Sequence, residues 1–106
     1  MITYQDFSKL ELRVGKVLEV SDHPDADRLY VLKVDIGEKQ VQLVAGIKQF
    51  YAPEDLENKL VVVLGNLEPK TVRGVESCGM LLAAKGGEKL TVLTTDTKVE
   101  PGSTVG

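Results

Sequence analysis

The sequence predicts an all-β chain: a five-stranded Greek-key barrel with a short helix between its third and fourth strands, and an extra strand and tail after the fifth. Three observations carry this. Apolar and polar residues alternate with period 2 through three successive stretches of the first half, as they do in half-buried strands. A single helix-start signal follows them, around Pro53. Beyond it, Leu60 to Leu64 is an unbroken run of Leu and Val, the composition of a central strand covered on both faces.

Residues 1 to 9 hold Tyr4 and Phe7 among polar neighbours and read as a lead-in that packs its aromatics on a surface. Strand one is expected over Leu10 to Val20, with an apolar even face of Leu10, Leu12, Val14, Leu18 and Val20, interrupted by Lys16. Gly15 in its middle predicts a bulge or sharp bend. Ser21 to Arg28 is all turn chemistry, with Pro24 fixing the backbone and Asp and Ser side chains able to bond nearby amides. His23 stands there with Asp22, Asp25 and Asp27, but the spacing matches no metal-ligand template. The stretch is therefore read as a solvated, hydrogen-bonded turn, with no metal.

Strand two, Leu29 to Ile36, places Tyr30, Leu32, Val34 and Ile36 on its inner face, and strand three, Gln40 to Ala45, does the same with Val41, Leu43 and Ala45. The two are joined by a tight turn at Gly37-Glu38-Lys39. Pro53 at a first helical position, with Glu54 and Asp55 in the first turn, predicts a helix of one or two turns. After strand four, Asn66 to Cys78 reads as a polar loop holding Lys70, Arg73 and Gly74, and Gly79 to Ala84 as strand five. Lys85 to Glu88 turns the chain into a sixth strand, Lys89 to Thr94, ahead of the tail from Asp96.

A chain of 106 residues, 42% of them hydrophobic, suits one domain over residues 1 to 106. Its one cysteine, Cys78, excludes an intrachain disulfide framework and fits a reducing compartment, so the cytoplasm is the expected location. No apolar run approaches the roughly 20 residues of a membrane span, and the first residues lack the basic and apolar blocks of a signal peptide. No membrane association is expected. The formal charge of −3 argues against a binder that relies on net charge for polyanions, although Lys70, Arg73 and Lys85 outnumber Glu68 and Glu76 between Gly65 and Lys85.

Three strands, a helix, two strands and a closing hairpin is the order of an OB-fold, whose ligands bind across strands two and three and the one-two and four-five loops. Those loops are Ser21 to Arg28 and Asn66 to Cys78. Single-strand binders stack bases on exposed aromatics, yet this chain has no Trp, two Phe and three Tyr, with Tyr30 facing inward. Recognition of duplex shape and backbone, as in structured RNA, is the better nucleic-acid reading. Catalysis has little support: one His, no Ser-His-acid or Cys-His pairing, no phosphate loop, no paired-Cys zinc pattern. Cys78 is read as an inert thiol. No catalytic residue and no cofactor is expected.

Four stretches in order carry a resemblance: Leu12 to Val20, His23 to Gly37, Val44 to Ile47, and Asn66-Leu67 through Met80 to Ala84. They resemble the tRNA-binding domain found at the C-terminus of many methionyl-tRNA synthetases, in stand-alone tRNA-binding proteins and in aminoacylation cofactors of the EMAP-II and Arc1p type. The resemblance implies an OB-fold that binds the outer corner of tRNA by shape, as a homodimer or appended to a synthetase catalytic domain. It places RNA contacts at Asn66, Lys70, Arg73, Ser77 and Met80, with weaker carry-overs at Lys33 and Arg28. Glu68 and Thr71 stand where relatives often carry further cations. The competing expectation is a chaperone-like or protein-interaction dimer of the same fold.

Overall fold

The computed structural model describes residues 1–106. A one-turn helix α1 (Tyr4–Phe7) precedes the barrel. Strands β1 (Leu12–Asp22), β2 (Tyr30–Asp35), β3 (Gln40–Ala45), β4 (Leu60–Leu64) and, past a hairpin of β5 (Lys70–Val72) and β6 (Val75–Ser77), β7 (Met80–Leu81) form one antiparallel sheet in the order β3-β2-β1-β4-β7. It curls until β3 meets the chain that leads into β7. There the Cys78 amide donates to the Gln42 carbonyl at 2.8 Å, and the Gln42 side chain donates to the Glu76 carbonyl at 2.8 Å. The result is the expected OB barrel, with helix α2 (Pro53–Leu56) between β3 and β4 and its Leu56 wholly buried.

Strand β1 is long enough to serve two neighbours, pairing with β4 over Leu12 to Lys16 and with β2 over Lys16 to Asp22. Its expected single apolar face does not survive. The register slips between Val17 and Glu19, and an extra residue in a strand reverses which side chains face the core. Before the slip Gly15 and Val17 are buried against the barrel interior, whereas Val14 lies opposite Val62, and both are buried outside the main core cluster. Beyond the slip Val20 packs on that cluster. Gly15 marks a close approach rather than the bulge itself, since a Cβ there would meet Val34 Cγ1 at 2.5 Å.

The tail runs along the first half of β1: the Val14 amide donates to Ser103 O at 2.9 Å and the Gly102 amide to Val14 O at 2.7 Å. Strand β4 is covered on both faces, as expected from its composition, with Val61, Val62 and Val63 all buried. The inner faces of β2 and β3 are also as expected, from Tyr30, Leu32 and Val34 to Val41, Leu43 and Ala45. In the lead-in, α1 is capped reciprocally by Thr3 and Asp6, a Thr-x-x-acid signal that sequence reasoning passed over. No helix is long and apolar enough to cross a membrane.

Two departures fall in the second half. The polar stretch expected as a loop contains the β5–β6 hairpin. Strand five is broken: β7 stops at Leu81, and β8 (Ala83–Gly86) instead pairs with β9 (Lys89–Val92) as a separate hairpin. Its turn is Gly87-Glu88, within the expected Lys85 to Glu88.

Tyr30, at the start of β2, is 3% exposed and donates its hydroxyl to Tyr51 O at 2.7 Å. Burial, then the nearby Asp22 carboxylate, raises its pKa above the usual 10.0. The folded state therefore holds this proton more tightly than the unfolded chain does. The stabilising contribution is complete below about pH 10 and is lost as pH climbs from there through the folded-state value. Tyr30→Phe is expected to cost about 1 kcal/mol at neutral pH and to flatten this alkaline loss, read by denaturant unfolding across pH.

Candidate nucleic-acid interface

The β5–β6 hairpin turns on Arg73 and Gly74, both with positive φ (49° and 87°). A two-residue turn with both central residues in that region is type I′, which favours Asn, Asp or Gly at the first position. Arginine is a costly choice there. Its side chain is exposed and reaches the wall of a hollow of about 450 Å³ formed otherwise by Asp25, Ala26, Asp27, Arg28 and Leu29. The one-two loop and the hairpin thus bring Arg28 and Arg73 to one cleft.

On the other flank of the hairpin lies a larger hollow of about 700 Å³, lined mainly by apolar residues, among them Val44, Ile47, Leu67, Val72 and Met80. Lys70 stands at its wall with Glu68. Met80 is 51% exposed and Leu67 41%, so Met80 presents its thioether to solvent instead of filling the core. Leu67 is a rim residue that sequence reasoning missed. Its exposure follows from the hairpin fold and has no signal in the local pattern.

The remaining candidates separate. Lys33 is exposed on β2, with Glu19 and Gln42 as its cross-strand neighbours, and lines neither hollow. Asn66 is engaged at both ends of its amide: Oδ1 accepts from the Glu11 amide at 3.0 Å and Nδ2 donates to Lys9 O at 2.7 Å. It ties the end of β4 to the lead-in. Ser77 is 7% exposed, and its hydroxyl accepts from the Val44 amide at 3.0 Å while lying 3.4 Å from Gly79 O. It helps to close the barrel. Arg28, Lys33, Lys70 and Arg73 form no ion pair within the chain; the ion pairs present are Lys9–Asp6, Arg13–Glu11 and Lys48–Asp22. Lys48 was also missed, and its 3.1 Å bridge to Asp22 anchors the base of the one-two loop.

That loop is not solvated throughout. His23 is 5% exposed. Its Nδ1 accepts from the Asp25 amide at 3.0 Å, so its Nε2–H donates to Val72 O on β5 at 2.9 Å. Both ring nitrogens are committed to protein atoms, leaving neither for a metal. Cys78 donates to Glu76 Oε1 at 3.3 Å, and this bond, then burial, pushes its thiol pKa up from the usual 9.0, the opposite of an activated nucleophile.

The outer face of β2 and β3 carries no aromatic side chain; Tyr30 points inward, while Tyr4 and Phe50 lie outside these strands. The arrangement sets Arg28 and Arg73, neither in an ion pair, in one cleft with the carboxylates of Asp25 and Asp27. It offers two guanidinium groups to a phosphate backbone in a cleft with no net positive charge, and no aromatic platform for stacked bases.

Comparisons with known proteins identify relatives in sequence and in fold. A family model described as "Putative tRNA binding domain" matches residues 12–104. The methionine–tRNA ligase of Pyrococcus horikoshii is 55% identical over 104 residues, covering 98% of this chain and 14% of that protein. This chain therefore spans about a seventh of the length of such relatives. Among solved structures, a CsaA chaperone protein from Picrophilus torridus superposes with a TM-score of 0.92 at 36% identity, covering all of both chains. A MetRS-related protein from Pyrococcus horikoshii gives 0.92 at 32% identity, covering 99% of this chain and 97% of that one.

Proposed function

Because the chain belongs to the tRNA-binding domain family, a family of non-catalytic binding modules, we propose that it binds the outer corner of tRNA by shape and backbone, without reading sequence. The observation that carries this reading is Arg73. A long cation held where the backbone favours glycine, unpaired and sharing a cleft with Arg28, is local strain placed at a site, and strain of that kind points to function. Lys70, at the base of the same hairpin, adds a cation on its other flank beside the apolar hollow, and the absence of aromatics from the β2–β3 face favours structured over single-stranded RNA.

The module acts as one unit over residues 1 to 106, as a homodimer, either as the C-terminal domain or a subunit of a methionyl-tRNA synthetase or as a stand-alone tRNA-binding protein in the cytoplasm. Exposed Met1, Ile2, Tyr4 and Leu10 on the lead-in give a second copy an apolar surface to pack on. The net charge of −3 gives each copy no overall attraction for RNA, and pairing two copies raises effective affinity without enlarging either copy's own binding face.

Titration with intact tRNA and with a single-stranded RNA of equal length, across a salt series and with light scattering on the same samples, tests the reading. A dimer that prefers tRNA and loses it steeply with salt is expected. Equal binding to both RNAs, or no binding at low salt, overturns it. The apolar hollow beside β7 and the likeness to a chaperone support a second reading, a peptide-holding dimer. That reading expects unfolded peptide to be retained in preference to tRNA.

A further inference from the structure

His23 is the one buried titratable side chain of the one-two loop, and nothing in phosphate binding requires it to touch a ligand. Three of its atoms nevertheless hold three different pieces of chain. Its backbone amide donates to Leu29 O at 3.1 Å, closing the loop at its base beside Arg28. Nδ1 receives the Asp25 amide, fixing the loop interior. Nε2–H crosses to Val72 O, on the residue immediately before Arg73. Arg28 sits one residue from the first of these bonds and Arg73 one residue from the last.

We propose that His23 is a positioning residue, a clasp that docks the one-two loop on the β5–β6 hairpin and so sets the separation of Arg28 and Arg73 across their cleft. This deepens the tRNA-binding reading and rests on it for its functional consequence. Without the Val72 bond, the hairpin's remaining hydrogen bonds to the barrel all lie on its far strand, through Gln42 to Glu76, Val44 to Ser77 and Cys78 to Gln42. The strand that carries Lys70 and leads into Arg73 is then free to swing from the loop. Two cations that meet a phosphate at a fixed spacing bind it better than two that must first be brought together.

The two ring nitrogens can be imitated separately. His23→Asn keeps an acceptor for the Asp25 amide in an Asx-turn but is too short to reach Val72. His23→Gln places its amide nitrogen near the position of Nε2 and restores the bridge. Amide hydrogen exchange over residues 21–29 and 70–77 is measured on wild type and both variants, together with tRNA affinity at low salt. Faster exchange in the hairpin is expected for the Asn variant and near-normal exchange for Gln. Affinity is expected to fall about threefold to tenfold for Asn, the worth of one hydrogen bond, and to recover in Gln.

Unchanged hairpin exchange in His23→Asn, or tRNA binding by that variant at the wild-type level, overturns the proposal. Equal affinity loss in both variants does so too, since that would track general destabilisation instead of the bridge. If wild type itself ignores tRNA, the functional reading fails while the exchange data still decide whether His23 docks loop on hairpin.

Discussion

Gly79→Ala is expected to destabilise the domain by about 3 kcal/mol, combining a clash with backbone strain. Gly79 adopts φ +133°, and a Cβ added there would stand 2.8 Å from Leu64 O and 3.2 Å from Leu43 Cδ2. The first of these is a backbone atom of β4, the strand that β7 must join, and cannot move without opening the Leu64–Met80 pair. In a domain with a total stability of about 5 to 15 kcal/mol, such a loss lowers the melting temperature by on the order of 15 °C. Gly74→Ala is the control. Gly74 also has positive φ, 87°, but nothing lies within 4 Å of its added Cβ, so strain alone acts and about 1 kcal/mol is expected. Thermal unfolding by circular dichroism compares them, and equal losses would show that the clash with Leu64 is not the cause. The larger effect reaches function as well, because Gly79 follows the Cys78 amide that hooks the hairpin to Gln42.

The first half of the barrel was legible because its side chains obey a local rule. Tyr30 to Ile36 and Val41 to Ala45 alternate, and alternation is decided residue by residue against one buried face. Leu60 to Leu64 declared its double burial by composition. β1 was misread for a reason that also lies in its pattern. Val14, Val17 and Val20 are all apolar; the first two face opposite sides of the strand, and the slip after Val17 turns Val20 to the side of Val17. The clue was the odd spacing of three, which no unbroken strand can turn to one side.

In the second half the signals compete. Thr71-Val72 and Val75 flank Arg73-Gly74 as strand residues flank a tight turn, but Arg in place of Asn or Asp hid a two-residue hairpin. At the site, the two loops could be named from strand order, and the pairing of Arg28 with Arg73 follows from their docking. The roles of Asn66, Ser77 and His23 could not be named. Each is a polar residue whose partners lie on distant segments, Lys9 and Glu11 for the first, Val44 for the second, Val72 for the third. Long-range side-chain to backbone bonds leave no trace in local sequence.

Replacing both cleft arginines, Arg28→Ala with Arg73→Gly, is expected to reduce tRNA affinity roughly thirtyfold at low salt, with each single change costing about tenfold, or about 1.4 kcal/mol. The deficit falls short of the product because the two line one hollow of about 450 Å³ and groups that share a partner do not act independently. The salt dependence should fall with them, since each phosphate that the protein no longer neutralises lowers the slope of log affinity against log salt by about 0.9. Glycine is the informative substitute at Arg73. At φ 49° it relieves strain that alanine would keep, so the domain is expected to be as stable as wild type or slightly more so while binding worse. A variant that gains stability and loses RNA separates what Arg73 does for the ligand from what it costs the fold. If Arg73→Gly binds tRNA as wild type does across roughly 50 to 200 mM salt, a range over which backbone binding weakens strongly, then the turn carries its arginine for some purpose other than phosphate.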